Sequence, residues 1–596
     1  NESYGLSFEA VEEFAAHDGT LIITVDCGIS RFAEIKRARE LSVDVIVTDH
    51  HEPQEELPEA LVIIDPKIRN SSYPFRDLSG CGVAYKLVSA LRFAQKSEIY
   101  GQQICLLNTR PVNDAWVIEI AKIRNLHVID TLIETIVPGM ISISGTRLPS
   151  FLQGQHILVW DERLQKQTFS KLFGKGVEVG MLDVALEIGK EIPSVAGLSL
   201  LRVKELSKIA KYADKELTEL DVFVNLFTSY ARRKERNAED AAKESSWLQL
   251  AALGTIADIM PLLDENRIIV RKGVEYIGKK PRPGIAELLH KLDLPGRSFE
   301  AKDVSWKICP VINAARRMGK AETAAALFFE KDPKERERLA GELAVLNESR
   351  KELEDGTWAL IEPEAYKSLG EYGGNLVLVF GEYINKGITG LIAQRAARHF
   401  NVPAIIVSQN QELYSGSVRQ ARGYNICALL EQCGDLFIDY GGHQAAGGFS
   451  LAAQNWDTFT ERLKKLSCAV EFEEEEDSQS IRVDAELPLD YLTPDLLKLI
   501  SRFEPYGKDN ETLVFMARKL VVKEINLIGK ESKHVKMILD AGKHKWPALY
   551  WQNADRVANK EFGINDKVDI VFNLSRDYYR GNETPQIMIA DLIKSG

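Results

Sequence analysis

Aspartate and histidine side chains recur where predicted secondary-structure elements end. Asp26 follows one short apolar run, His50 lies just past a second, and Asp258 follows a helix-like stretch. Carboxylate oxygens and imidazole nitrogens held by rigid elements are ligands that Mn²⁺ and Mg²⁺ accept. The pattern therefore predicts a divalent-cation site. A buried, hydrogen-bonded histidine pair would also account for the Asp-His-His triplet at 49–51.

Such a site could hydrolyse a phosphodiester. Two metal ions lower the pKa of a bridging water and clamp the attacking and leaving oxygens, which requires several carboxylates, one of them bridging. We expect Asp26 to be the bridging ligand. His51 would face the substrate phosphate, and Asp49 would orient a histidine from behind the ligands.

Short β-rich runs separated by a helical stretch must position these side chains. This alternation predicts a parallel α/β sheet, which binds ligands at the carboxyl ends of its strands. A later stretch, 310–319, carries a double arginine, Arg316-Arg317. The predicted strands are 21–25, 44–48 and 61–64, and the predicted helices are 31–41 and 248–257, the second of which ends just before Asp258.

A charged helix, a second α/β region and a β-rich end follow. The second region has predicted strands at 376–380 and 403–407 and glycine-rich loops at 415–417 and 441–443. The fold class is thus multidomain α/β with a C-terminal β-barrel of the OB-fold type. The predicted domains are 1–98 and 241–332 for a split catalytic domain, 99–240 for an α/β insertion, 333–366 for a linker helix, 367–470 for the second α/β domain and 480–596 for the barrel. Strand-like runs in the barrel are 513–516, 519–528, 534–539 and 568–573.

Composition sets the remaining bounds. A chain of 596 residues is too long for a single core, which stops growing near about 250–300 residues. A net charge of −12 argues against a lysine-coated surface but allows a local basic groove. Seven scattered cysteines suit a reducing compartment, and no apolar run approaches the roughly 20 residues that span a bilayer. We expect a cytoplasmic monomer without membrane contact, and a fragment, since Asn1 is neither Met nor part of a signal segment.

A series of short stretches resembles, in the same order, the motifs of the DHH phosphoesterases that degrade single-stranded DNA. The resemblance implies a DHH domain, a DHHA1 domain joined to it by a long helix, and an OB-fold. It also implies a 5′ to 3′ exonuclease that uses Mn²⁺ or Mg²⁺, with a two-metal site in the complete protein. The stretches are VDCGIS, VIVTDHHEP, DLSGCGVAYKL, ALGTIADIMPLLDENR, INAARRMG, SGSVRQ, YGGHQAAGGF and EPYGKDN.

The resemblance, carried over position by position, implies roles for individual residues. Asp26, His50 and Asp258 would be metal ligands, with His51 near the scissile phosphate. Ser417 and Arg419 would hold a 5′-terminal phosphate, since arginine binds phosphate with a planar fork. The remaining expected substrate-binding residues are Arg317, Gly441, Gly442 and His443, of which the last three form a glycine-rich loop facing the metals or only a tight turn.

The chain departs from the family pattern in two motifs. No Asp-x-Asp precedes the Tyr4-Gly5-Leu6 stretch, and those carboxylates would complete the ligands of one metal. Val311 and Arg316 stand where the family has arginine and glycine. Whether Arg316 or Arg317 reaches phosphate is therefore open, and one of them could have only a structural role.

The inserted domain faintly resembles the DnaQ-like proofreading exonucleases of the ribonuclease-H fold. Residues 106–109 (Leu-Leu-Asn-Thr) stand where an Asp-x-Glu pair is expected, 160–165 lack the expected Asp, and Asp221 is the one acid that could be retained. We expect a catalytically silent α/β module that binds DNA or a partner. An unrelated helical insertion is the alternative.

Three functions fit this sequence. The leading one is an exonuclease whose partner is single-stranded DNA, with a single-strand-binding protein and a helicase as further expected partners. The alternatives are a phosphodiesterase for short oligonucleotides or cyclic dinucleotides, and an inactive scaffold that binds single strands. Aromatic residues in the barrel would stack on bases or belong to its core. They are Tyr550, Trp551, Tyr578 and Tyr579.

Overall fold

The structure is a computed structural model that describes residues 5–595 apart from 97, 235–236, 295, 297–298, 411, 444, 469–479, 530 and 580–581. Two compact units are formed. One consists of residues 1–83 with 246–596, and the other of residues 84–245.

A small parallel sheet carries the first candidate site. Its strands are rich in Val and Ile, which favour extended backbone, and they pair in chain order. Val11, Ile35, Val45 and Val47 form the core between the sheet and the first two helices. The predicted parallel α/β sheet is confirmed. The elements are α1 (Phe8–Ala16), β1 (Leu21–Val25), α2 (Phe32–Glu40), β2 (Asp44–Thr48), β3 (Val62–Ile64) and α3 (Gly80–Lys96).

The insertion has a five-stranded sheet of its own, in the order β6-β5-β4-β7-β8. β4, β5 and β6 are antiparallel, while β7 runs parallel to β4 and β8 runs parallel to β7. The alternative of a helical insertion is therefore wrong. The strands are β4 (Gln103–Val112), β5 (Ala115–Arg124), β6 (His127–Ile136), β7 (His156–Val159) and β8 (Leu182–Asp183), and the helices are α4 (Leu148–Leu152), α5 (Glu162–Phe173), α6 (Ala185–Glu191), α7 (Leu200–Leu206), α8 (Lys208–Tyr212) and α9 (Glu219–Lys234).

Helices follow, and the last of them is the predicted linker. Asp332 caps this helix by accepting a hydrogen bond from the Lys334 N–H, and Pro333 occupies its first turn. The linker helix is confirmed and continues to Glu371. The helices are α10 (Ala238–Ala257), α11 (Asp264–Lys279), α12 (Pro283–Lys291), α13 (Ala301–Asp303), α14 (Cys309–Arg317), α15 (Ala321–Phe329) and α16 (Pro333–Glu371).

The second α/β domain is a mixed sheet in the order β12-β13-β11-β10-β9. The prediction of loops at 415–417 and 441–443 is wrong, because both stretches are strands. Gly416 makes room for the Phe449 ring, which a Cβ there would overlap, and a Cβ at Gly442 would overlap the Ala446 carbonyl. The elements are β9 (Val377–Gly381), α17 (Thr389–Phe400), β10 (Ala404–Gln409), β11 (Leu413–Arg419), α18 (Ile426–Glu431), β12 (Phe437–His443), β13 (Ala446–Ala452) and α19 (Trp456–Ser467).

The C-terminal domain is a closed barrel in which β15 pairs with both β16 and β18. Trp546, Met537 and Phe572 are among its core residues. The predicted OB-type barrel is confirmed, although the two runs predicted at 513–516 and 519–528 form one strand with an irregularity after Ala517. The elements are β14 (Ala485–Glu486), α20 (Asp495–Ile500), β15 (Phe515–Ile528), β16 (His534–Asp540), β17 (Lys545–Tyr550), α21 (Ala554–Ala558), β18 (Lys567–Tyr579) and β19 (Asn582–Lys594).

Among the described residues, no helix combines the length and the apolar composition that a membrane span needs.

Candidate active site

Asp26 lies immediately after β1, in a backbone conformation that few residues adopt. Its φ is +61°, a left-handed value that Asp tolerates better than most residues, and its N–H donates to the Thr48 carbonyl at 3.0 Å. The start of α3 lies against its side chain, because a Cβ at Gly80 would overlap the Asp26 carboxylate. The turn and the missing Cβ together fix this carboxylate at the edge of the sheet.

The Asp-His-His triplet follows β2, and its aspartate is the anchor. Asp49 is 1% exposed and accepts hydrogen bonds from the N–H groups of Ile29 (3.0 Å) and His50 (2.8 Å). Its Oδ1 also lies 2.7 Å from His51 Nδ1. Burial raises the pKa of Asp49, but the hydrogen bonds from His51 and the backbone outweigh burial and leave this pKa below its ordinary value. The hydrogen bond between Asp49 and His51 raises the pKa of His51.

Asp258 meets His50 and Asp26 from the end of α10. His50 Nε2 lies 3.0 Å from Asp26 Oδ1 and 3.3 Å from Asp258 Oδ2, and the imidazole is buried while both carboxylates are half-exposed. Three donors from three elements therefore face one point that solvent can reach. His51 adds a nitrogen within 4.8 Å of the Asp26 and His50 donors. Two carboxylate oxygens and an imidazole nitrogen suit a divalent cation such as Mn²⁺.

Asp65 is a nearby acid that the sequence analysis missed. It follows β3 and is buried, and its Oδ1 accepts a hydrogen bond from the Lys67 N–H at 2.8 Å. Burial raises the pKa of Asp65, and the charge of Asp49 adds to this rise. Its position at the carboxyl end of the third predicted strand was the available signal, because Asp26 and Asp49 obey the same rule.

A second polar cluster lies in the mixed sheet of the second α/β domain. Ser417 Oγ on β11 lies 2.8 Å from Thr389 Oγ1, the first residue of α17. A Cβ at Gly390 would lie 2.7 Å from Arg419 Nη2 and 3.6 Å from Ser417 Oγ. Ser417, Arg419 and the N-terminus of α17 thus surround one small space, where helix N–H groups favour an anion.

Arginine charge is concentrated around this space. Arg419 donates to the carbonyls of Val418 (2.8 Å) and Gly447 (3.5 Å). Burial lowers the pKa of Arg419, and the positive charge of Arg317 lowers it further. In the described part of the chain, no carboxylate forms an ion pair with either arginine. An anion would therefore relieve repulsion between two guanidinium groups.

The structure separates the two adjacent arginines of α14. Arg316 is exposed, whereas Arg317 is half-buried and donates to the Gly387 carbonyl at 3.4 Å. Burial lowers the pKa of Arg317, and the next cause is the charge of Arg350 on α16. Arg317 is thus the one that lies near Arg419, and Arg350 is a neighbouring cation that the sequence analysis treated only as part of the linker.

The glycine-rich strand end lies beside this cluster. Gly441 pairs with Gly448, which pairs in turn with Ser417, so these three residues form one row across β12, β13 and β11. Gly442 pairs with Gly447, next to the carbonyl that Arg419 contacts. The backbone of His443 ends β12, and its side chain lies outside the described residues.

A polar cluster also occurs in the insertion, where the buried Glu119 is paired with an arginine. Glu119 is 1% exposed and accepts from Arg110 Nε at 3.1 Å, and Asn108 Nδ2 lies 3.5 Å from the same oxygen and 3.4 Å from Glu219 Oε2. Asp221 instead accepts from the Thr218 N–H at 2.8 Å and caps α9. The acid expected to survive in the insertion therefore has a structural role here.

The aromatic residues proposed for base stacking separate into two groups. Tyr550 is 3% exposed and belongs to the barrel core, so stacking on a base is excluded for it. Trp551 is 48% exposed and lies edge-on to His534, with ring centroids 4.6 Å apart. The side chains of Tyr578 and Tyr579 lie outside the described residues.

Comparison with protein families gives three matches in the order of the domains. Residues 4–107 match the N-terminal domain of the DHH family, residues 373–467 match the DHHA1 domain, and residues 483–591 match the RecJ OB domain. In these three regions the chain is similar to the DHH family, the DHHA1 domain and the OB domain of RecJ.

Curated relatives match almost the whole of this chain. The single-stranded-DNA-specific exonuclease RecJ of Bacillus subtilis is 25% identical over 99% of this chain and 56% of its own length. The same-named protein of Escherichia coli is 26% identical over 99% of this chain and 80% of its own length. The chain thus spans little more than half the length of the Bacillus relative.

A crystal structure of RecJ from Thermus thermophilus in complex with Mn²⁺ shares the fold. It superposes with a TM-score of 0.60 at 21% identity, covering 99% of this chain and 64% of its own. The match supports the multidomain architecture.

Proposed function

We propose that this chain is the core of a Mn²⁺- or Mg²⁺-dependent exonuclease that hydrolyses single-stranded DNA from its 5′ end. The observation that carries the proposal is the convergence of Asp26, His50 and Asp258 on one point. The names of the RecJ relatives support the reaction and the substrate.

Asp26, His50 and Asp258 would hold the cation. When bound, Mn²⁺ or Mg²⁺ would lower the pKa of water and offset negative charge on the phosphate. We expect a second ion to share Asp26. In this arrangement His50 serves through Nε2, the nitrogen that faces both carboxylates.

His51 would act on the substrate phosphate. Its Nδ1 is held by Asp49, so Nε2 is the ring nitrogen left for a phosphate oxygen. The bond raises the pKa of His51 and favours the protonated ring, which donates a charged hydrogen bond. Asp49 therefore sets both the direction and the charge of the group that meets the scissile phosphate.

The cluster around Arg419 would capture the 5′-terminal phosphate. Ser417, Thr389 and the N–H groups at the start of α17 supply neutral donors, and Arg419 and Arg317 supply charge. Gly441 and Gly442 keep the adjacent strand end free of side chains, which allows a backbone phosphate to approach closely. Capture of the end there would set the 5′ to 3′ direction.

The barrel would hold the incoming strand. OB-folds bind single strands with basic grooves and stacking aromatics, and the exposed Trp551 is the aromatic residue that fits this role. We expect a single-strand-binding protein and a helicase as partners. We also expect a monomer. Seven cysteines without a disulfide suit a reducing compartment such as the cytoplasm.

Digestion of 5′-phosphorylated single strands of increasing length tests the proposal. With Mn²⁺ present, we expect long strands to be degraded faster than dinucleotides, because the barrel contributes only to the binding of long strands. Preference for dinucleotides would favour the phosphodiesterase alternative. Binding of long strands without cleavage would favour the inactive scaffold.

A further inference from the structure

The EPYGKDN segment, residues 504–510, takes no part in the chemistry above. It folds into a loop between α20 and β15 that is closed by its own hydrogen bonds. Asn510 Nδ2 donates to the carbonyls of Phe503 (3.1 Å) and Pro505 (2.6 Å), and Gly507 and Asn510 exchange backbone hydrogen bonds of 2.9 and 3.2 Å. Tyr506 Oη donates to the Ile500 carbonyl at 2.8 Å. The loop is therefore rigid before it meets any neighbour.

The loop packs against the turn that follows Asp258. The Leu262 N–H donates to the Lys508 carbonyl at 2.8 Å. Gly507 lies against the same residue, since a Cβ at Gly507 would be 2.6 Å from Leu262 Cδ1 and 3.2 Å from Cγ. Leu262 is buried in a hydrophobic core, so its side chain has little room to move.

The turn after Asp258 has an unfavourable backbone conformation and is held by contacts with other segments. Ile259, directly after Asp258, has a φ of +52°, a left-handed value that β-branched residues disfavour. Asn266 holds the turn on one side, where Nδ2 donates to the carbonyls of Pro261 (3.0 Å) and Asp77 (2.5 Å). The Lys508 carbonyl holds it on the other.

The loop is also tied to the barrel. Arg576 on β18 lies 3.0 Å from Glu504, the first residue of the loop, and 3.4 Å from Glu300. Arg267 Nη2 donates to the Phe503 carbonyl at 2.6 Å. A short path of direct contacts therefore joins a barrel strand to the turn that carries Asp258.

We propose that residues 504–510 are a positioning element that holds Asp258 in place for metal binding. This inference rests on the proposed function, because it assumes that Asp258 is a metal ligand. It gives the EPYGKDN motif a role that does not involve contact with DNA, and it makes the metal centre depend on the loop that leads into the barrel.

Calorimetric titration of the full chain with Mn²⁺ tests the inference. Gly507→Ala should displace Leu262 and weaken Mn²⁺ binding by about tenfold or more, the loss typical when a group that orients a metal ligand is removed. Adding Leu262→Val should restore most of the Mn²⁺ affinity, because valine lacks Cδ1, the atom that lies nearest to the new Cβ. Gly563→Ala is the matched control, since its Cβ would meet only Asp566 Oδ2, at 3.8 Å.

A second variant removes atoms instead of adding them. Asn510→Ala loosens the loop and should weaken Mn²⁺ binding in the same direction, with hydrolysis of dinucleotides and long strands reduced alike. If Mn²⁺ affinity is unchanged in both Gly507→Ala and Asn510→Ala, this inference is overturned and the proposed metal site is not affected. An unsubstituted chain that binds no Mn²⁺ would refute the metal site itself, and the inference with it.

Discussion

The N-terminal parallel sheet and the sheet of the insertion both gather carboxylates, but they balance the charge differently. In the insertion, Arg110 compensates Glu119 with a permanent cation 3.1 Å away. In the parallel sheet, Asp26 and Asp258 face the imidazole of His50, whose ring nitrogen can bind a metal. A neutral imidazole and two carboxylates can accept a metal, whereas a guanidinium occupies the place that a metal would take. A cluster of carboxylates thus does not by itself distinguish a metal site from a structural ion pair.

Loss of a carboxylate should lower the cleavage rate in the first region and leave it unchanged in the second. Asp258→Asn should reduce the rate of Mn²⁺-dependent cleavage by more than about 100-fold, because a lost ligand should cost more than a lost residue that only orients a ligand. Single-strand binding should be nearly unchanged. The measurement is the initial rate on a 5′-phosphorylated strand, with binding followed by fluorescence anisotropy. Glu119→Gln is the comparison in the insertion and should leave the rate unchanged. Strongly weakened strand binding in Asp258→Asn would show that the residue is structural.

Asp49→Asn should lower the cleavage rate by about 10–100-fold, because an amide orients His51 less well and no longer favours its protonated form. Mn²⁺ affinity should fall less than the rate does, since His51 is not one of the three ligands. Asp44→Asn, exposed at the start of the same strand, is the control. A rate equal to that of the unsubstituted chain would remove His51 from the mechanism.

Arg419→Ala should reduce the preference for 5′-phosphorylated over 5′-hydroxyl strands by about tenfold or more, because a hydrogen bond to a charged group contributes about 1.5–3 kcal/mol. The ratio of kcat/KM for the two substrates measures this preference. Arg462→Ala, which removes an exposed ion pair with Asp435 in the same domain, should leave the ratio unchanged. If Arg419→Ala has the same ratio as the unsubstituted chain, the pocket that binds the 5′ end must lie elsewhere.

Arg110→Ala should leave cleavage unchanged and lower the free energy of unfolding by about 1–3 kcal/mol, because the buried Glu119 loses a partly exposed hydrogen-bond donor. Urea unfolding of the full chain, followed by a probe within the insertion, measures the change. The double variant Arg110→Ala with Glu119→Gln should recover part of the loss. Equal stability of the single variant and the unsubstituted chain would mean that the pair contributes nothing.

The sequence was sufficient to group the three proposed metal ligands, because each one follows a predictable element. Alternating β-rich runs predict a parallel sheet, and the carboxyl edge of such a sheet brings Asp26 and His50 together. The same rule would have found Asp65, had the acid after the third run been considered.

The features that the sequence did not predict depend on contacts between residues far apart in the chain. Glycines at 416 and 442 resemble loop residues until the strands on either side are known, because their role is to accommodate Phe449 and the Ala446 carbonyl. Similarly, Asn108 and Glu119 are cross-strand partners, a register that neither residue reveals alone. The contact between Lys508 and Leu262 joins residues far apart in the chain, and no local pattern predicts it.

Electron paramagnetic resonance of Mn²⁺ tests the central claim most directly, because the signal of the free ion falls as the ion binds. The unsubstituted chain should bind Mn²⁺ saturably. His50→Gln should weaken binding by about tenfold or more, while Glu119→Gln should bind like the unsubstituted chain. Equal Mn²⁺ affinity of His50→Gln and the unsubstituted chain would contradict a metal centre at Asp26, His50 and Asp258.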